Sequence, residues 1–452
     1  MLKEAQGHGQ GYPSPARAWG IVAILIVAAM LSYVDRQVIA IVAQPMKADL
    51  KLTDTALSLL YSAFAIFYAL AALPLGRMAD VYNRKWLITI AIVIWSMMTM
   101  ACGMTRNYIL LFLARIGVGV GEAALVPASN SMVADLFPRE KVPLALSFFQ
   151  TGSVMGSGIA FIVGGATLSF MNDLAQQSLP IFDDMAAWQL CFIALGIPGV
   201  LVVLMMLFLR EPVRRSMSGA VQTTPRQAAP MPELMAFYRR NWKTFTFHHL
   251  GFLAFALSGF ALVFWTLPFF TRVHGVDTAL ASQIFGWMFF ICGPLGVVWA
   301  AMQAAWFSKR GRRDANIISG LIGGALTMPV IILIQLMPNA TWAFILYVPV
   351  LFFANAPFGL AYGALPVITP PAMRAQVTAF YMLFLSSGMA FGPVIAGIFN
   401  DHLFPGTDGV RYSLMTLTSI CGVLGTLSLW ACRKPYIRSL EDADAMEAQG
   451  RW

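Results

Sequence analysis

Twelve runs of apolar residues, each about twenty long, follow one another along this 452-residue chain, and each is long enough for a helix to cross a bilayer. They cover roughly 19–42, 56–76, 86–105, 108–133, 143–167, 188–209, 246–270, 282–306, 315–337, 341–365, 376–399 and 411–432. Lipid offers no hydrogen bonds to a bare backbone, so only helices and closed barrels can span it. Barrel strands need about ten residues each, and these runs are twice that. The expected fold class is therefore all-α integral membrane, with twelve transmembrane helices, called spans 1 to 12. Composition agrees: 58% of residues are hydrophobic, 11% are charged, and the mean hydropathy is +0.70. The first run is too long for the apolar core of a signal peptide, so no cleaved leader is expected. The five cysteines lie in or beside apolar runs without metal-ligand spacing and read as core residues, so no metal is expected.

Lysine and arginine set the orientation. With the N-terminus inside the cell, only Lys47, Lys51, Arg106, Arg272 and Arg411 fall on the outer side, and Arg36 and Arg115 fall within the membrane. The rest of the 30 lie on the cytoplasmic side, an excess that marks that side. Both termini are thus expected in the cytoplasm, at a bacterial inner (plasma) membrane. The net charge of +9 then reflects topology and contact with anionic lipid headgroups, and no nucleic-acid partner is expected.

One long polar stretch, 210–245, opens with Arg210, Glu211 and Pro212 and closes with Arg239, Arg240 and Lys243. It divides the chain into an N-terminal six-helix bundle (1–209), a cytoplasmic linker (210–245), a C-terminal six-helix bundle (246–432) and a cytoplasmic tail (433–452). A short surface helix is expected near 232–240. The halves echo each other. Gly76 to Lys85 follows span 2, and Ala304 to Arg313 follows span 8 with its basic pair at the same offset. Two six-span repeats form a transporter architecture with the substrate at the midplane. No phosphate-binding loop is present to bind ATP, so no cofactor is expected and a proton gradient is the energy source.

Four charged residues inside spans carry the chemistry: Asp35 and Arg36 in span 1, Arg115 and Glu122 in span 4. A charge at the bilayer centre costs about 2.5–3.5 kcal/mol on insertion scales, so such residues are paired and used. Arg115 and Glu122, seven apart, project from one helix face about 10 Å apart. Gly117, Gly119 and Gly121 let a neighbouring helix come close. Asp35 and Arg36 point about 100° apart, so one faces the cavity and the other a neighbouring helix. Glu122 and Asp35 are the expected proton carriers, with arginine partners that move as they titrate. Arg36 and Arg115 are expected to meet an anionic or zwitterionic head. The second half holds no acid or base in its spans. Trp265 and Asn355 are its expected substrate contacts, among many aromatic side chains. His248 and His249 are expected at headgroup level. Nothing points to an enzyme, since no His-Glu-x-x-His is present.

Gly76 to Lys85 resembles the signature loop of the major facilitator superfamily, with Asn83 in place of its usual second glycine. Arg115-x-x-x-Gly119-x-Gly121-Glu122-Ala123 resembles that family's fourth-span motif. Tyr33-x-Asp35-Arg36 together with Gly121-Glu122-Ala123, and Trp265-x-x-Pro268-Phe269, resemble the spinster-type lipid transporters and their anion:cation-symporter relatives. The resemblance implies the major facilitator fold and a lysolipid or sphingoid-type substrate. It also implies a cytoplasmic gate of Gly76, Asp80, Arg84 and Lys85, in which Asp80 latches the N-terminus of span 11. The function expected is proton-coupled transport of a small amphiphile by rocker-switch alternating access, as a monomer in the lipid bilayer. The alternatives are symport of small organic anions and multidrug/H+ antiport.

Overall fold

The apolar runs close into helices because every backbone N–H and C=O must find a partner within its own segment. A computed structural model describes residues 12–138, 141–175, 185–214, 230–354, 356–371 and 373–449. It holds twelve helices long and apolar enough to cross a membrane. Spans 1 to 6 are Pro15–Ile41, Asp54–Val81, Arg84–Met104, Tyr108–Leu136, Leu144–Ala175 and Ala187–Phe208. Spans 7 to 12 are Trp242–His274, Thr278–Lys309, Ala315–Leu336, Ala340–Ile368, Gln376–Leu403 and Gly409–Ala448. No strand occurs among the described residues.

An even number of crossings puts both termini on one face, here the terminal face; the other is the far face. Within the first half, span 1 packs on span 5, span 2 on span 4, and span 3 on spans 4 and 6. Span 7 packs on spans 11 and 12, and span 9 on spans 10 and 12, in the second. The halves meet along span 2 against span 11 and span 5 against span 8. Small residues make these seams close. A Cβ on Gly158 of span 5 would sit 2.6 Å from the backbone nitrogen of Phe290 in span 8.

One segment differs from the sequence reading, and the helix expected near 232–240 is present. Span 12 continues to Ala448, past the expected end at 432, because Tyr436 and Leu440 pack into the core of the second half. The polar stretch contains a short helix, Met231–Arg240, held to the same core by buried Leu234.

Candidate functional site

Span 4 is interrupted where its acid sits. Pro127 has no N–H to offer the carbonyl of Ala123. The helix Tyr108–Glu122 stops just before that carbonyl and resumes as Leu125–Leu136. Glu122 is thus the last residue of a half-helix, the kind of discontinuity that membrane transporters place at binding sites. The glycines before it are steric necessities. A Cβ on Gly119 would lie 2.5 Å from the carbonyl oxygen of Phe64, and one on Gly121 would lie 2.9 Å from Trp95. Spans 2 and 3 therefore lie directly on the span 4 backbone.

Glu122 and Arg36 form a buried ion pair between spans 4 and 1. Arg36 Nε donates to Glu122 Oε2 at 2.7 Å, and Ser32 Oγ donates to the same oxygen at 2.6 Å. Ser32 and Arg36 are four residues apart, so one face of span 1 delivers both. The Glu122 side chain is fully buried, and that of Arg36 is 12% exposed. Three rings surround the guanidinium: Tyr33, Phe64 and Tyr68, with centroids at 5.0, 5.4 and 4.6 Å. Their π-faces stabilise a cation that has left water. The adjacent Asp35 is not the counter-ion of Arg36. The 100° step between them turns Arg36 to Glu122 and Asp35 into the bundle.

Asp35 and Arg115 are both completely buried. Arg115 Nη1 donates to the backbone carbonyl of Asp35 at 3.1 Å, and its guanidinium lies 5.2 Å from the Phe64 ring centroid. Neither Asp35 carboxylate oxygen has a hydrogen-bond partner, nor do Arg115 Nε and Nη2 or Glu122 Oε1. The two acids thus have distinct settings. Glu122 is paired and adjoins the partly exposed cation, whereas Asp35 has no ion-pair contact of its own among the described residues and has Glu122, Arg115 and Arg36 as charge neighbours.

The remaining expected residues fall elsewhere. Trp265 is fully buried within the second half, its Nε1 donating to the carbonyl of Pro393 at 3.0 Å. It braces span 7 against span 11. Asn355 lies outside the described residues. Asp80 is exposed, and the α-helix of span 11 starts after Met373, whose own side chain supplies no cap. Gly76 is half-buried near Pro127.

Arg84 forms an internal clamp. It is fully buried, pairs with Asp135 and Glu211 (Nε to Oε1 2.7 Å), and donates to the carbonyl of Pro212 at 2.9 Å. The Lys85 ammonium donates to the carbonyl of Leu207 at 2.8 Å. His248 and His249, expected at headgroup level, lie in the first turns of span 7 and face the protein interior. They are buried, 3.1 Å apart at their Nδ1 atoms, amid Phe252, Tyr381 and Phe384.

The sequence reading missed Ser32 and the ring cage, although the i, i+4 spacing of Ser32 and Arg36 was a usable signal. It also missed a charged seam on the far face. Arg272 of span 7 grips Asp54 of span 2 through both terminal nitrogens (Nη2 to Oδ1 2.7 Å) and donates to Gln44 at 2.9 Å. Lys47 also pairs with Asp54. Nearby, Ser62 of span 2 donates to the carbonyl of Ala390 in span 11, and Ser282 of span 8 to that of Phe161 in span 5 at 2.7 Å. These contacts draw the halves together away from the terminal face.

Known proteins are similar to this chain in sequence and fold. Residues 25–393 match the Major Facilitator Superfamily. An MFS-type efflux pump of Mycolicibacterium smegmatis is 26% identical, covering 94% of this chain and 95% of its own length. Human protein spinster homolog 1 is 27% identical, covering 91% and 80%. A crystal structure of a bacterial homolog to the human lysosomal transporter spinster, inward-facing and unoccupied, superposes with a TM-score of 0.76 at 26% identity. That match covers 95% of this chain and 98% of the other. A D-xylose–proton symporter shares the fold at a TM-score of 0.68 and 15% identity. The chain belongs to the major facilitator superfamily and is a spinster-like transporter.

Proposed function

We propose that this transporter moves an amphiphile with a charged head, of lysolipid or sphingoid type, and that protons drive it by alternating access. The observation that carries this reading is the buried Arg36–Glu122–Ser32 cluster, with Arg36 alone of the four intramembrane charged residues partly exposed. Protonating Glu122 removes the charge that holds Arg36, and the ring cage keeps the freed guanidinium stable until an anionic head replaces the carboxylate. Asp35 is the second proton carrier, and its proton exchange acts on Arg115. Protonating Glu122 weakens the Arg36 contact that joins spans 1 and 4, and protonating Asp35 removes a negative charge beside Arg115; together they bias the halves between two states. The resemblance to spinster-type lipid transporters supports an amphiphile, and the human spinster relative matches over 91% of this chain rather than one motif. Both termini lie in the cytoplasm of a bacterial inner membrane in this reading, and the transporter works as a monomer without a cofactor.

A second reading rests on the efflux pump of M. smegmatis, which matches nearly end to end. It makes the protein a drug/proton antiporter using the same acids. Proteoliposome transport under an imposed pH gradient separates the substrates. Lysolipid movement abolished by a protonophore supports the amphiphile. Movement of a lipophilic drug or a small dicarboxylate in its place would overturn the amphiphile reading and leave the coupling acids standing.

A further inference from the structure

Spans 2 and 11 run antiparallel across the seam between the halves, so each presents its start to the other's end. On the far face, span 11 leaves its α-helix at Ile398 and turns through a single π-helical turn, Phe399–Leu403. Such turns re-aim side chains and are frequent at functional positions. Here the turn aims Asp401 at the first turn of span 2. Asp401 Oδ1 accepts the N–H of Asp54 at 3.0 Å, and Oδ2 accepts that of Thr55 at 2.7 Å. Thr53 caps the next N–H, that of Ala56, at 3.1 Å. Two of the otherwise unsatisfied amides at the start of span 2 are thus closed by a carboxylate from the other half, where the helix dipole also favours negative charge.

The approach is close enough to require glycine. A Cβ on Gly397 would lie 2.5 Å from Ser58 Oγ and 2.8 Å from the carbonyl of Asp54. At the terminal face the same two helices offer the reverse pairing. Asp80 stands at the end of span 2, exposed, and the α-helix of span 11, Arg374–Ile398, starts after Met373, whose own side chain supplies no cap.

We propose that Asp401 is the far-face latch of the transport cycle, and that Asp401 and Asp80 form a reciprocal pair at the two ends of one helix pair. Each aspartate closes the start of the opposite helix, and rocking about the crossing of Ser62 with Ala390 releases one as it engages the other. The Arg272–Asp54 pair reinforces the far latch through the side chain of the residue whose amide Asp401 holds. Asp401 is a positioning residue: it sets the balance of states without touching substrate. This inference rests on the alternating-access reading above.

The test is distance measurement by electron–electron resonance between spin labels on cysteines replacing Met104 and Leu336 at the far face. A second pair replaces Trp86 and Lys309 at the terminal face. Cys292 is exchanged for alanine and the protein is held in lipid nanodiscs. Losing a helix cap of this kind shifts an equilibrium about tenfold. Asp401→Asn should shift the populations about tenfold toward longer far-face and shorter terminal-face distances. Asp80→Asn should leave the structure's state favoured, and the double variant should return toward wild type. Asp401→Glu, which keeps the carboxylate, should retain much of the wild-type distribution. Wild-type protein with one distance population under every pH would overturn alternating access itself. Two populations that Asp401→Asn leaves unmoved would overturn the latch alone.

Discussion

The two halves solve one problem alike and another differently. Each ties the start of its third helix to the segment at the end of its sixth by an ion pair at the terminal face. In the first half the pair is Arg84 with Glu211, and in the second it is Asp314 with Arg433 (Nε to Oδ2 2.6 Å). The geometry recurs with the signs reversed. In mid-membrane the halves diverge: the first carries Asp35, Arg36, Arg115 and Glu122, and the spans of the second carry no comparable cluster. The clamp serves the bundle, which both halves need. The intramembrane charges are confined to one half, and that confinement is the reason for proposing the coupling site there.

Breaking the clamps sharpens that contrast. Arg84→Ala should have the largest effect. Arg84 is fully buried and joins Asp135, Glu211, Ser131 and Pro212, so its removal breaks contacts to four residues at once. A loss of about 3–5 kcal/mol is expected, read as lowered thermal stability in detergent. A change under half a kilocalorie would reduce the clamp to a surface contact. Gly119→Val comes next. Its side chain must displace the Phe64 backbone, at about 1–3 kcal/mol, and should also widen the Arg36–Glu122 contact. Unchanged stability and transport would mean that spans 2 and 4 yield more readily than their packing implies.

Arg433→Ala should cost least, about 1 kcal/mol or less, because Arg433 is partly exposed and Arg312 still pairs with Asp314. That second clamp also has a pH signature. Burial alone would raise the Asp314 carboxyl, but hydrogen bonds from Arg312 and Arg433 outweigh it and hold the group below its ordinary range. A carboxyl with a lowered folded-state value contributes stability above its unfolded value near 3.8 and loses it as pH falls through the folded one. Acid unfolding curves of wild type and Asp314→Asn should therefore converge below about pH 4. Curves that stay parallel through that range would remove Asp314 from the acid response.

The sequence carried the twelve spans because lipid enforces an apolar stretch wherever a helix crosses. It was less informative about where helices end. Span 12 runs on through Arg433, Lys434 and Glu441, since hydropathy tracks the membrane and not the hydrogen-bonded helix. The four intramembrane charged residues were legible because each is costly. The angular step between Asp35 and Arg36 correctly sent them in different directions. Their partners were not legible: that Arg36 takes Glu122 while Arg115 takes a backbone carbonyl depends on how spans 1 and 4 lie against each other. The far-face seam escaped notice for a related reason. Asp54, Arg272 and Asp401 sit at span ends, where charge is ordinary, and only tertiary contact distinguishes a latch from a boundary. Trp265 shows the same dependence: the motif marks the residue, and only the fold shows that its indole braces span 7 against span 11.

The central claim is that Glu122 links proton movement to transport. The most direct measurement is pH-gradient-driven uptake of a labelled lysolipid into proteoliposomes by Glu122→Gln, beside gradient-free exchange by the same protein. The amide keeps the shape and the Ser32 contact but cannot ionise. Exchange should persist while acceleration by the gradient disappears. Full gradient-driven uptake by Glu122→Gln would contradict the account and move the coupling to Asp35 or outside the first half altogether.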